Sequence, residues 1–260
     1  MGWTWTRRDA LIGAGAAGLC LSGRARAAEL VPGEEGVVAA VTSGTTLTLA
    51  DGLEVKLAGI LAPALDAPWG REAREGLAAL LRGRFVRLMY GGDPRDRYDR
   101  ALAQLHTLGP DRRTDLWVQD EMVRLGLARV YTWPEELIDH AALYRVEREA
   151  RARGRGLWSD AHYGIRSPDP DPLAQHVDSV QIVEGLVTNT AEVRGQTYLN
   201  FGADYRTDFT VSIARKHRKR FAELDLLGLE GARIRVRGWV ELINGPMIWA
   251  SHPARIEMIG

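Results

Sequence analysis

The chain has 260 residues, 45% of them hydrophobic, and 34 basic residues against 34 acidic ones. This composition is typical of a globular protein with a buried core, and the length suits one large or two small domains. Without residues 1–27 the chain keeps 30 basic and 33 acidic residues. A strongly basic protein that binds nucleic acid over its whole surface is therefore not indicated, and any such binding requires a local patch.

The N-terminus has the features of an export signal. Residues 6–12 contain an Arg-Arg pair, residues 10–21 are mildly apolar, and Ala25-Arg26-Ala27 offers a cleavage site. The apolar run is shorter than the ~20 residues that a membrane-spanning helix needs, which argues against an anchor. We expect a twin-arginine signal over residues 1–27, cleavage, a periplasmic or secreted protein, and no stable membrane span afterwards. Cys20, the single cysteine, would be lost with the signal.

Residues 36–163 show the patterns of a small α+β domain. The segment 70–81 has apolar residues at helical spacing, and Asp51-Gly52 is a strong hairpin-turn signal. The remaining predictions are strands at 37–41, 45–49, 54–60, 84–90 and 101–107, and helices at 116–125 and 141–152. Strands, one helix, more strands and two helices predict a small barrel covered by helices.

The rest of the chain predicts a linker and a second barrel. Residues 164–176 contain the run Ser-Pro-Asp-Pro-Asp-Pro, which is typical of an extended, proline-stiffened spacer. Within residues 177–260 the predictions are a helix at 215–224 and strands at 182–188, 197–201, 209–213, 233–241, 247–250 and 255–259. Three strands, a helix and further strands follow the order of an OB barrel, although another small α+β fold fits the composition equally well.

Six short motifs occur in a distinctive order between residues 37 and 160. They are VTSGTTL at 41–47, KLAGILAPA at 56–64, WGREA at 69–73, DRYDRALA at 96–103, MVRLGLARV at 122–130 and GLWSD at 156–160. In this order and spacing they resemble the thermonuclease (micrococcal-nuclease-like) family, over nearly half of the chain. The segments 198–211 and 244–248 resemble a C-terminal OB-like extension of some bacterial thermonuclease-type proteins.

The resemblance implies an OB barrel that holds one calcium ion by two aspartates and a backbone carbonyl. It also implies a glutamate that helps to activate water and two arginines that stabilise the pentacoordinate phosphate. By position the aspartates fall on Thr45 and Leu61 and the glutamate on Ala64, while the arginines fall on Lys56 and Arg100. Only Arg100 is the residue that the family has at its position. Lys56 keeps the positive charge but lacks the planar guanidinium that binds two phosphate oxygens.

The missing acids predict that the family's calcium is not a cofactor of this chain. Calcium takes six to eight oxygen ligands, and carboxylates supply most of its affinity. Asp51 in the hairpin turn or Asp66 could replace a lost acid only if a loop re-aimed a short side chain across the pocket. We therefore expect a degenerate nuclease that keeps Lys56 and Arg100 as remnants of the phosphate site.

Two further pairs of residues are candidate contacts to a nucleotide. Arg97 and Tyr98 could flank it, or they could form an ordinary exposed turn. Tyr131 and Trp133 lie where the resemblance places aromatic residues near the base, although ordinary loop packing explains them as well. Base–aromatic stacking contributes ~1–3 kcal/mol per base.

The second barrel carries its own candidate binding face. Alternation along the strand at 233–241 places Arg233, Arg235 and Arg237 on one side of the sheet. This interpretation as a binding face is strengthened by the aromatic residues at 198, 201 and 205 and by the basic run at 215–220. Proteins bind single-stranded nucleic acid through cationic and aromatic side chains. The alternative is a set of solvated charges.

Three functions therefore remain open. The first is an exported, catalytically degenerate protein that binds single-stranded nucleic acid or another polyanion. The second is an active phosphodiesterase that uses Arg100, Lys56 and Asp66. The third is an interaction module of the cell envelope. The sequence leaves the oligomeric state undetermined.

Overall fold

The computed structural model describes residues 30–134 and 139–259. The predicted export signal, including Cys20, lies outside these residues. No helix in the described ranges is long and apolar enough to cross a membrane.

The first half of the chain forms eight strands and three helices. The strands are β1 Val31–Ser43, β2 Thr46–Leu49, β3 Glu54–Leu57, β4 Ile60–Leu61, β5 Phe85–Tyr90, β6 Ala101–Leu108, β7 Thr114–Trp117 and β8 Arg129–Val130. The helices are α1 Gly70–Leu81, α2 Val118–Arg124 and α3 His140–Ala152, followed by two 3-10 turns at Gly156–Ser159 and Ala161–Tyr163. This content confirms the predicted α+β class.

The strands of this half close into a barrel. The long strand β1 pairs antiparallel with both β2 and β5, β2 pairs with β3, and β5 pairs with β6. The ring closes because β3 pairs in parallel with β6. The short strands β4 and β8 form a separate two-stranded sheet beside the barrel, with Ile60 opposite Val130 and Leu61 opposite Arg129. We call this half the first barrel.

The core of the first barrel follows from the alternation of residues along its strands and from the helical spacing of apolar residues in α1. Alternate residues of the strands point inward, so Leu47 and Leu49 of β2 are buried. The predicted apolar stripe of α1 belongs to the same core, since Ala73, Leu77 and Leu81 are buried in one cluster with these leucines.

The second half forms α4 and seven strands. Their bounds are α4 Pro170–Ala174, β9 Val180–Leu186, β10 Asn189–Val193, β11 Gln196–Asn200, β12 Thr210–Ile213, β13 Arg233–Leu242, β14 Pro246–Trp249 and β15 Ile256–Met258. Strand β13 pairs antiparallel with β9, β14 and β15, and β12 pairs in parallel with β14. With β10 and β11 completing the path, this sheet repeats the pairing plan of the first barrel around its own core. We call it the second barrel.

Several local predictions differ from the structure. The run predicted as one strand at 54–60 is split at Gly59, whose φ of 79° breaks the extended backbone. The spacer is not extended throughout, because Pro170 begins α4 and Leu173 is buried against the second barrel. The predicted helix at 215–224 is a 3-10 helix over Arg215–Phe221, and the strand β10 was not predicted.

Candidate functional site

The main candidate site is a cleft of about 650 Å³ that both barrels line. Its charged wall comes from β3 and from the loop between β5 and β6, and the residues are Lys56, Asp93, Arg95, Asp96, Arg97 and Arg100. Its aromatic residues are Tyr98, Tyr131, Trp133 and Trp239, the last of which belongs to the second barrel. Four cations and four aromatic rings therefore face one cavity of ordinary ligand-site size.

A tight turn before β6 holds the retained arginine. Arg100 donates from Nε and Nη2 to Oδ2 of Asp96 at 2.8 and 2.6 Å. Oδ1 of the same carboxylate accepts from the backbone amides of Tyr98 and Arg100 at 2.9 and 3.1 Å. Burial alone would raise the pKa of Asp96, but these hydrogen bonds lower it below its ordinary value. The guanidinium is therefore oriented by a carboxylate that stays ionised.

The neighbouring pair extends this cationic wall. Tyr98 is 63% exposed, and its ring lies under two guanidinium groups. The carbon of the Arg97 guanidinium is 4.7 Å from the ring centroid and that of Arg100 is 5.1 Å away. These residues form an exposed turn that also lines the cleft, and contact with a nucleotide stays a prediction.

A lysine interaction replaces the first expected calcium ligand. Lys56 donates from Nζ to the hydroxyl oxygen of Thr45. That threonine is only 3% exposed, and its backbone carbonyl accepts from the amide of Leu57 at 2.8 Å. An ammonium group is thus bonded at the position to which the resemblance assigns a carboxylate.

The positions of the second expected aspartate and of the expected glutamate carry no side-chain oxygen. Leu61 lies in β4 opposite Arg129, and Ala64 lies in an exposed loop. This loop packs tightly on α1, since a Cβ on Gly70 would lie 1.8 Å from the Ala64 carbonyl oxygen. Together with the lysine, this donor set does not fit calcium. Among residues 30–134 and 139–259, no group of three or more His, Cys, Asp or Glu is arranged to hold a metal ion.

Neither of the two alternative acids lies at the cleft. Asp66 is exposed in the loop before α1. Asp51 stays in the β2–β3 hairpin, where its carboxylate accepts from the amide of Leu53 at 3.0 Å. The carboxylates that line the cleft are instead those of Asp93 and Asp96.

The predicted aromatic pair is held from the second barrel. The rings of Tyr131 and Trp133 meet edge to face with centroids 5.4 Å apart, and the tryptophan is 52% exposed. Arg255 places its guanidinium carbon 3.8 Å from the tyrosine centroid and donates from Nε to the Thr132 carbonyl at 2.9 Å. His252 bonds the Thr132 hydroxyl at 2.7 Å. Sequence reasoning did not anticipate these two supporting residues.

The predicted binding face on β13 requires a correction. Arg235 and Arg237 are 6% and 1% exposed, so they are not available to a ligand. Arg233 is exposed, but it pairs with Glu184 at 3.1 Å. Alternation does place the three arginines on one side of the strand. That side packs against the first barrel, and alternation within one strand cannot reveal a neighbour that lies far away in sequence.

The buried arginine joins the two barrels. Arg237 donates to Glu147 of α3 at 2.9 Å, to Glu257 of β15, and to the backbone carbonyl of Val130 at 2.8 Å. Glu147 in turn accepts from the Val130 amide at 2.7 Å. Burial alone would lower the pKa of Arg237, but the two carboxylates and nearby Tyr144 raise it. The one feature of the sequence that could have indicated this buried ion pair is a charged residue, Glu147, on the apolar face of α3.

The basic run at 215–220 lies elsewhere on the second barrel. Arg218 pairs with Glu192 at 2.5 Å, and Arg220 bonds His217 at 2.8 Å. Phe201, one of the aromatic residues expected on a binding face, is buried against Phe209. These residues do not line the cleft.

Comparison with known proteins supports the resemblance. The family described as staphylococcal nuclease homologue matches residues 54–160. A protein of Escherichia coli O157:H7 named "Uncharacterized endonuclease" is 35% identical over 129 residues, which are 48% of this chain and 78% of that protein. The chain belongs to the staphylococcal nuclease homologue family.

Two plant proteins match the same part of the chain. The rice protein named "Probable staphylococcal-like nuclease CAN3" is 32% identical over 116 residues, 44% of this chain and 27% of that protein. The Arabidopsis thaliana protein named "Staphylococcal-like nuclease CAN1" is 29% identical over 114 residues, 44% of this chain and 32% of that protein. These matches each cover less than half of this chain.

Proposed function

We propose that this staphylococcal nuclease homologue binds single-stranded nucleic acid in its cleft and has lost calcium-dependent hydrolysis. The observation that carries the proposal is the bond from Lys56 to Thr45, in a cleft that keeps Arg100. A lysine ammonium can contact a phosphate and stabilise charge on its oxygens, but it cannot generate a hydroxide nucleophile from a bound water as a metal ion can. Binding then survives the loss of the reaction.

The cleft has the chemistry that an unpaired strand requires. Arg97 and Arg100 offer donors to the phosphates, while Tyr98 and Trp133 are more than half exposed and offer ring faces to the bases. Single-strand binding combines such a positive groove with stacking platforms. The net charge of the chain is close to zero, so the attraction is local to this cleft.

The proposal extends to the organisation and location of the protein. We infer a cleaved twin-arginine signal over residues 1–27 and a periplasmic or secreted protein. The thermonuclease-like domain spans 36–163, a linker 164–176 and an OB-like extension 177–260. The repeated strand pairing supports the OB-like assignment, because each half contains one parallel pair among antiparallel ones, β3–β6 and β12–β14.

The second candidate is an active phosphodiesterase that works without calcium. The names of the relatives favour it, as does the retained Arg100, which Asp96 orients. In this structure its base would come from Asp93, because Asp66 lies outside the cleft lining. An envelope interaction module is the third candidate.

A nuclease assay separates binding from hydrolysis. Purified protein is incubated with single-stranded DNA in calcium or in chelator. The proposal expects no calcium-dependent cleavage. Brisk degradation that stops on chelation overturns the loss of the reaction, and degradation that persists in chelator supports the second candidate.

Binding is measured by fluorescence anisotropy with a labelled oligonucleotide at two salt concentrations. Each phosphate contact contributes about −0.7 to the slope of log K against log salt for single strands. We expect Lys56→Met and Arg100→Met each to weaken binding and to reduce that slope by about 0.7. The matched control is Arg84→Met, an exposed arginine on the first barrel outside the cleft lining. Absent or salt-insensitive binding favours the interaction module.

A further inference from the structure

One wall of the cleft comes from the second barrel. Trp239 lies on β13 and Val180 lies opposite it on β9, and both line the cavity. The tryptophan is 46% exposed, although it stands on the same side of β13 as the buried Arg235 and Arg237. The face of β13 that packs against the first barrel therefore ends at a partly exposed indole, which lines the cleft.

The strands that carry this indole are anchored to the first barrel at two points. Two residues earlier, Arg237 bonds the Val130 carbonyl of β8 at 2.8 Å. On the paired strand, the Val180 carbonyl accepts from Arg129 of β8 at 3.2 Å. Trp239 is thus held between two attachments to the first barrel, next to the strand that leads into Tyr131. Such anchoring reduces the ordering that a ligand would otherwise require.

The chemistry of the cleft indicates what this indole contacts. A large half-exposed aromatic ring that faces a cavity with four cations suits an occupant that is both anionic and flat. A nucleotide has both properties, and every base presents a π-face that an aromatic side chain can stack on. Paired bases in a duplex are already stacked on one another, so an unpaired strand fits better.

We infer that Trp239 is a base-stacking platform, and that the second barrel thereby completes the nucleic-acid site of the first. This inference rests on the proposed function. The cleft then has one exposed tryptophan from each barrel, Trp133 from the first and Trp239 from the second. The phosphates meet the cationic wall of Lys56 and Arg100.

The test compares Trp239→Ala with Trp249→Ala in the full chain. Trp249 is a matched control on the adjacent strand β14, partly exposed, bonded to Glu241 at 3.0 Å, and outside the cleft lining. The probes are a fluorescent single-stranded oligonucleotide and an abasic strand of the same length. Trp239→Phe keeps a ring at the position and tests for rescue.

We expect Trp239→Ala to weaken binding of the oligonucleotide about 5- to 150-fold, as loss of one stacked base predicts. Binding of the abasic strand stays within about twofold, Trp249→Ala behaves as wild type, and Trp239→Phe recovers most of the affinity. Equal binding by the two alanine variants overturns the inference while the proposed function stands. Equal weakening on the abasic strand also overturns it, because the effect is then not stacking. A wild-type chain that binds no oligonucleotide overturns both.

Discussion

Replacing Arg237 by methionine tests the buried link between the barrels. Arg237 and Glu147 are each 1% exposed, and Glu257 is 8% exposed. Removing one partner of such a pair costs about 3–5 kcal/mol, because the other charge stays buried without its counterion. Glu257 keeps Arg148 at 3.5 Å, whereas Glu147 keeps the Val130 amide. We therefore expect Arg237→Met to lower the free energy of unfolding by about 3–5 kcal/mol.

The matched control is Arg233→Met on the same side of the same strand. Its side chain is 60% exposed and pairs with Glu184 at the surface, where ion pairs contribute about 0–1 kcal/mol. For a chain of this size, each kcal/mol lowers the melting temperature by about 2–4 °C. Thermal unfolding followed by circular dichroism should show a decrease of about 6–20 °C for Arg237→Met and a few degrees at most for Arg233→Met.

Two further measurements identify the cause. A carboxylate buried without a cation takes up a proton more readily, so the loss in Arg237→Met should shrink as pH falls from about 8 to 5. Arg237→Lys keeps the charge without the planar fork and should lie between wild type and methionine. If Arg237→Met and Arg233→Met melt within about 2 °C of each other at neutral pH, the buried cluster does not stabilise the fold as we argue.

Two other predictions concern His252 and calcium. Burial, with nearby Arg255, lowers the pKa of His252 to about 3 from an ordinary value of 6.5. The unfolded chain therefore binds this proton more tightly, so stability is full above pH 6.5 and is lost as pH falls towards 3. Urea denaturation measures the free energy of unfolding. Between neutral pH and about 4.5, this free energy should fall by about 2 kcal/mol more in the wild type than in His252→Gln. Equal decreases in the two proteins would contradict the lowered pKa of His252. A variant in which the family's acids are restored should bind calcium, so its melting temperature should rise when calcium is added. The melting temperature of the wild type should not change with calcium. The variant carries Thr45→Asp, Leu61→Asp and Ala64→Glu together with Lys56→Arg.

Local patterns in the sequence were enough for much of the first barrel. The helix predicted at 70–81 is α1, because its periodic apolar stripe has one favourable place, against the inward faces of the strands. The sequence also showed that Thr45, Leu61 and Ala64 carry no carboxylate, since ligand chemistry depends on residue type. The structure adds that Lys56 bonds Thr45 within this cleft.

Only the tertiary structure decided what the second barrel contributes. Alternation on β13 predicts that Arg237 and Trp239 share a side, but it does not predict whether that side meets solvent, a ligand or another barrel. The partners of Arg237 lie 107 residues away at Val130 and 90 away at Glu147. Contacts of this range leave no periodic trace in either segment, so burial of the arginines and exposure of the tryptophan at the cleft follow from how the two barrels pack.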